Sequence, residues 1–238
     1  MNILNLFRKN KVERKVEAGE QFTIKTLDAI LNNQTKITNA EFRNGYDIIK
    51  KYPRSVSILG SAIYQPDNEY YKKAESLAAK IVRELDYAVV TGGGPGIMEA
   101  ANKGAYEAGG DSIGFAIKLP NEQYQNKYLT DTVTFDYFFT RKSLIYCSAE
   151  TYIYFPGGFG TMDELFEILT LIKTEKIPQV PVVLVGRDFW QPLLNFIEKN
   201  LYEDHKVIPK DFLEIYKIVD SEDEIIDIIK KAPLRTDY

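Results

Sequence analysis

One cysteine and one histidine are all that 238 residues offer. With Cys147 alone there is no intrachain disulfide and no cysteine-based zinc site. His205 sits in the polar segment Glu203-Asp204-His205-Lys206, where a surface histidine is the expectation, so Ser-His-Asp and Cys-His hydrolysis are poorly supported. No apolar stretch reaches the roughly eighteen residues that a membrane-spanning helix needs. The formal net charge of −4 supplies no basic field, so nucleic acid is not expected as the main partner. These absences leave carboxylates, arginine and lysine to carry the chemistry. A cytoplasmic protein without a metal or cofactor is the expectation.

What is present is ordinary for a soluble globular chain: 45% hydrophobic and 27% charged residues. This length buries one sizeable core. At the N-terminus, apolar Ile3, Leu4, Leu6 and Phe7 precede basic Arg8, Lys9, Lys11, Arg14 and Lys15. The apolar block is too short for a secretory core and lacks a small-residue cleavage site. It reads as a flexible or docking arm over residues 1–20, with weak membrane attachment as the alternative. Residues 21–52 read as a helical extension of two helices, from Phe22, Leu27, Ile30 and Leu31 and then Phe42 through Ile48-Ile49 at helical spacing. Pro53 marks the boundary, and residues 53–238 are expected to form one further domain, the one that carries any site.

Within that domain strands and helices alternate. Val56–Leu59 is a short apolar strand, and Asp67 can cap a helix that turns Ala74, Leu77, Ala78, Ile81 and Leu85 inward. Tyr87–Thr91 leads into Gly92-Gly93-Gly94-Pro95-Gly96. The helix after that turn carries Ile97, Met98, Ala100, Ala101 and Ala105 and stops at Gly109-Gly110. Further strands are read at Ser112–Ile117, Val133–Phe135, Thr151–Phe155, Val182–Val185 and Ile215–Val219. Helices are read at Thr140–Ser148, from the second glycine turn to Lys173, at Trp190–Asn200, and after Ser221, with Glu224 in capping-box spacing. This alternation implies an α/β fold with a parallel sheet covered by helices on both faces.

Three strand ends carry small residues: Gly60-Ser61-Ala62, Gly92 to Gly96 and Gly157 to Gly160. In open parallel sheets the ligand crevice lies at the carboxyl ends of the strands, where such turns collect. A single glycine turn has a purely steric explanation; two dense ones, each opening a helix, point to phosphate. The dinucleotide fingerprint fails because Ile97 stands at its third glycine position, and no Walker pattern exists. A single mononucleotide phosphate fits better than a pyrophosphate.

The densest motif is Pro156-Gly157-Gly158-Phe159-Gly160-Thr161-Met162-Asp163-Glu164. Thr161 followed by Glu164 has capping-box spacing, which gives Glu164 a structural reading. Against it, Asp163 and Glu164 together exceed what capping needs, and that charge repels a phosphate unless it faces the sugar and a reacting water. Arg141-Lys142, one helix earlier, could neutralise it.

Together these residues resemble the LOG ("lonely guy") family, often labelled lysine decarboxylase-like, whose members are cytokinin riboside 5'-monophosphate phosphoribohydrolases. The signature P-G-G-x-G-T-x-x-E is complete from Pro156 to Glu164. The Gly-Gly-Gly turn with Met98, the Arg141-Lys142 pair and the Gly-Ser after the first strand support it. The resemblance spans roughly residues 54–200. It implies a Rossmann-like fold and a homodimer or larger assembly with the active site near the subunit interface. Carried over, it makes Glu164 and Arg141 the catalytic pair and Gly157, Gly158, Phe159, Gly160 and Thr161 the phosphate loop. It adds Lys142, Met98 and Glu122 as substrate contacts, with Ser61, Gly94, Gly96 and Asp163 around the same site. Glu99 departs from the pattern, since hormone-producing members commonly have glycine after the methionine.

The expected reaction is hydrolysis of the N-glycosidic bond of a nucleoside 5'-monophosphate, AMP or an N6-substituted AMP, to free base and ribose 5-phosphate. Glu164 would face the developing positive charge on the ribose, and Arg141 would position the nucleotide and keep that carboxylate ionised. Two other classes stay open. One is a nucleotide sensor or carrier without turnover. The other is an amino-acid decarboxylase, which needs pyridoxal phosphate on a lysine that no glycine turn here singles out.

Overall fold

The computed structural model of the chain describes residues 24–119 and 125–235. The basic arm and Glu122 lie outside the described residues. The chain divides into two compact units, residues 1–37 and 38–238.

Helix α1, Ile24–Lys51, runs through both units. Where the apolar spacing predicts two helices, there is one. The polar stretch Asn32-Asn33-Gln34-Thr35 interrupts the apolar stripe but contains neither glycine nor proline. Thr35 Oγ1 donates back to the Leu31 carbonyl at 2.9 Å, which satisfies its hydroxyl within the helix.

The second unit is a seven-stranded, all-parallel sheet in the order β4-β3-β2-β1-β5-β6-β7. The strands are β1 Ser55–Leu59, β2 Ala88–Thr91, β3 Ser112–Ile117, β4 Asp131–Phe135, β5 Thr151–Tyr154, β6 Val182–Leu184 and β7 Tyr216–Ile218. Between them lie α2 Glu69–Leu85, α3 Ile97–Glu107, α4 Phe138–Cys147, α5 Phe159–Lys173 and α6 Arg187–Phe196; α7 Glu222–Lys231 follows β7. Beyond α6 the hydrogen bonding widens to a π-helix over Ile197–Asp204.

The central strands are β-branched and aromatic and buried on both faces, while β4 alternates between covered and exposed positions, as an edge strand does. Alternate residues sort into two cores. Val56, Ile58, Val89, Ile153 and Phe155 pack under α2, α3 and α7. Leu59, Val90, Phe115, Tyr152 and Tyr154 pack under α4, α5, Trp190 and Ile49 of α1. The helix before β2 is capped by Asn68, whose side chain accepts from Tyr70 N–H at 2.8 Å, and not by Asp67. Ser221 caps α7 as its spacing predicts, accepting from Glu224 N–H at 3.4 Å. No helix among the described residues is long and apolar enough to cross a membrane.

From β1 the chain winds outward to β4, then α4 carries it back to β5 on the other side of β1. The switch point between β1 and β5 opens a crevice at their carboxyl ends.

Candidate active site

The glycine turns after β1, β2 and β5 meet in one cleft of about 920 Å³, lined also by Ile117, Leu119, Phe138 and Tyr71. Gly96 has φ 72°, and a side chain on it would collide with the Ser61 carbonyl. The next residue closes the contact, Ile97 N–H donating to that carbonyl at 2.9 Å, so the first two turns form one floor.

The β2 turn is braced from beneath by a polar network that the motifs did not reveal. Gly93 N–H donates to Thr91 Oγ1 at 2.9 Å, and Thr91 Oγ1 donates to Asn102 Oδ1 at 2.6 Å. Asn126 Nδ2 lies 2.9 Å from Asn102 Oδ1 and 3.1 Å from the Gly94 carbonyl. Such a buried network holds its shape because its members satisfy one another. Its one legible trace is Asn102, a polar residue on the otherwise alanine-rich buried stripe of α3.

The β5 turn starts its helix earlier than the capping-box spacing implies. Gly158 is the N-cap, and α5 begins at Phe159 with no side-chain cap and no acid in its first turn. The Thr161–Glu164 capping box is therefore not formed. The extended backbone of Gly158 lets the helix begin at the next residue, while Thr161 packs back against Gly157. The first bond inside the helix is Met162 N–H to the Gly158 carbonyl, 3.0 Å, so the amides of Phe159, Gly160 and Thr161 have no acceptor within the helix. A side chain added at Gly158 or Gly160 would meet open space. That combination suits an anion brought against bare backbone.

Glu164, released from capping, reaches the cleft wall opposite α4. Its Oε1 lies 3.9 Å from Arg141 Nη1, the two side chains 13% and 10% exposed. Arg141 Nε donates to the Phe115 carbonyl at 2.6 Å, which aims the guanidinium. A side chain on Gly92 would run into that guanidinium and into Met98 Sδ. Burial pushes the Glu164 carboxyl above its ordinary range, with Arg141 opposing the rise. Arg141 therefore does not hold this carboxyl at or below its ordinary value. Burial likewise lowers the arginine, against the pull of Glu164.

Of the residues singled out in the sequence, Ser61, Gly94, Gly96, Met98, Arg141, Gly158, Gly160, Thr161 and Glu164 line the cleft. Gly157, Phe159, Lys142 and Asp163 do not. Phe159 is 96% exposed. Lys142 pairs with Asp163 at 2.9 Å and closely with Glu167, which also accepts from Tyr146 Oη at 2.9 Å. Glu99 does line the cleft, its Oε1 3.4 Å from Tyr71 Oη.

A family model described as "possible lysine decarboxylase" matches residues 98–229. A cytokinin riboside 5'-monophosphate phosphoribohydrolase of Rhodococcoides fascians is 27% identical over 155 residues, 63% of this chain and 77% of that protein. A protein of the same description from Arabidopsis thaliana is 29% identical over 136 residues, 56% of this chain and 63% of that protein. Among solved structures, a molybdenum cofactor binding protein from Rippkaea orientalis is similar with a TM-score of 0.52 and 25% identity, covering 74% of this chain and 93% of that one.

Proposed function

The chain belongs to the "possible lysine decarboxylase" family, and we propose that it hydrolyses the N-glycosidic bond of a nucleoside 5'-monophosphate, AMP or an N6-substituted AMP. Water adds at the anomeric carbon, and the products are the free base and ribose 5-phosphate. The observation that carries this reading is the Arg141–Glu164 pair, largely buried in the wall of the cleft that the uncapped start of α5 also lines. The 5'-phosphate would sit on the amides of residues 159–161, placing the sugar toward Glu164. Its carboxylate would stabilise the oxocarbenium-like charge and orient the attacking water. Arg141 would bind the nucleotide and oppose protonation of Glu164.

The family's label does not favour decarboxylation here. A pyridoxal phosphate enzyme needs an amine in the cleft, and no lysine lines it among the described residues. Lys142, the nearest in sequence to the catalytic pair, is engaged by Asp163 and Glu167. One observation favours a second reading, nucleotide binding without turnover: the likeness to a cofactor-binding protein. We infer, too, that the protein acts as a homodimer or larger assembly, since Phe138, Phe139 and Phe166 of α4 and α5 are 54%, 49% and 42% exposed.

The deciding experiment incubates the protein separately with AMP and adenosine and follows adenine by chromatography. Adenine from AMP, with adenosine far poorer, supports the proposal. Equal rates from both would remove the phosphate-loop argument. Saturable AMP binding without adenine would establish the second reading.

A further inference from the structure

We propose that Glu41 is a positioning residue for the catalytic arginine: its carboxylate, delivered by α1, bridges the two sides of the start of α4 and so fixes where Arg141 stands in the cleft. The kinetic part rests on the proposed function; the structural part does not.

Helix α4 opens without a cap of its own, since the Tyr137 side chain at its N-cap accepts nothing. Its first backbone donors need acceptors from elsewhere. Glu41, from a helix about a hundred residues earlier in sequence, takes none of those helix N–H groups but ties down the residues on either side of them. One carboxylate oxygen accepts from Asp136 N–H, just before the N-cap, and the other accepts from Thr140 Oγ1 in the first turn. Glu41 is only 5% exposed. A buried carboxylate at this end of a helix also meets the positive pole of the helix dipole.

The approach of α1 that makes this possible is written one turn further along. Gly45 faces Leu144, and a side chain on Gly45 would overlap both terminal methyls of that leucine. Glu41 and Gly45 thus meet Thr140 and Leu144 with the same four-residue step on both helices. Tyr52 and Lys51 finish the contact at Asp131, 3.3 and 2.8 Å away.

Arg141 is the residue after Thr140. Its guanidinium is confined between the Phe115 carbonyl, Gly92 and Glu164. A slip of the first turn of α4 moves that group directly, whereas a loss of packing elsewhere on α1 does not. The family match begins at residue 98, well after α1.

The test uses the full chain as wild type, Glu41→Ala, Glu41→Gln and Ile48→Ala; Ile48 packs α1 on the core away from the start of α4. Two quantities are read. The first is the NMR signal of Arg141 Nε–H, assigned by its loss in Arg141→Lys. The second is kcat and KM for AMP. In Glu41→Ala the Arg141 signal should move and exchange faster with water, and kcat should fall about tenfold or more with KM changed little. Glu41→Gln, still able to accept from Asp136 N–H, should move both in the same direction by less. Ile48→Ala, compared at similar loss of Tm, should leave both near wild type. An unmoved Arg141 signal in Glu41→Ala, or an equal effect from Ile48→Ala, overturns the proposal. If Glu41→Ala does not fold, an unmoved signal in Glu41→Gln overturns it. If wild type releases no base from AMP, the reaction assignment fails by itself and the Arg141 signal alone decides the positioning role.

Discussion

Arg141 Nη1 stands 3.9 Å from Glu164 Oε1, and one residue along each helix Lys142 Nζ stands 2.9 Å from Asp163 Oδ2. Two consecutive cations on α4 thus meet two consecutive acids on α5 in different surroundings. Asp163 is 60% exposed, so the outer pair is screened by water and worth little. The inner pair is largely buried, yet 3.9 Å is too long for a hydrogen bond. Arg141 therefore lends charge to Glu164 without occupying its oxygens, which stay able to face a water or a sugar.

Glu164→Gln keeps the size of the side chain and removes its charge. If the carboxylate stabilises positive charge on the ribose, adenine release from AMP should fall by about 10²–10⁴-fold in kcat. AMP affinity by calorimetry should be no weaker than in wild type, because a negative charge near the nucleotide has gone. A variant with full turnover would return Glu164 to a structural role.

The pH profile follows from the same burial. Glu164 has a raised carboxyl pKa, caused first by desolvation and opposed by Arg141; Asp163 and Glu167 add to the rise and Lys142 counters it. Its working form is the ionised one, so kcat/KM should fall as acid protonates it, at a pH above the usual carboxylate range. Arg141→Gln removes the main influence holding that pKa down, so the acid limb should move to still higher pH while the rate drops. Finding both limbs at an ordinary carboxylate value would contradict the assignment.

Two glycines separate the two halves of the site. At Gly92 a methyl group would overlap the Arg141 guanidinium and Met98 Sδ. Gly92→Ala should therefore cut kcat for AMP by about tenfold or more through displaced catalytic geometry. At Gly160 a methyl group meets nothing in the protein, and alanine is the better helix former by about 1 kcal/mol. Gly160→Ala should keep or raise Tm, and if the phosphate sits there it should raise KM for AMP while leaving any slow reaction of adenosine unchanged. A KM unchanged by this substitution would move the phosphate elsewhere.

Which of these features the residues announce depends on how local their cause is. The strand runs, the glycine turns and the pairing of Arg141-Lys142 with Asp163-Glu164 follow from short patterns, and all are found. The frame of α5 does not follow, because Thr161–Glu164 has the spacing of a capping box whether or not the N-cap lies three residues earlier at Gly158. The same ambiguity makes Asp67 look like the cap that Asn68 provides. Lys142 reads as a ligand contact until Glu167 and Tyr146, each one turn along from its neighbour, show where its charge goes. Asn126 and Glu41 act across long separations in the chain, so no local spacing encodes them.

Glu150, at the opposite end of β5, tests whether burial alone can move a carboxyl in this fold. It is 1% exposed. Its Oε2 accepts from Ser55 N–H at 2.8 Å, while Oε1 has no hydrogen-bond partner among the described residues. Desolvation raises its pKa, with the Ser55 bond and the charges of Arg235 and Arg54 opposing. A carboxyl raised on folding holds its proton longer in the native state than in the unfolded one. Its stabilising effect is therefore complete below the unfolded value and is lost as pH rises through the folded value. Glutamine keeps an acceptor for Ser55 N–H and removes the buried charge, so the two proteins should melt alike near pH ~4, where wild type is protonated. Toward pH ~8 Glu150→Gln should melt higher, by a few degrees. Thermal melts at both pH values decide it: a variant less stable at the higher pH would mean that the attraction to Arg235 outweighs the cost of burying the charge.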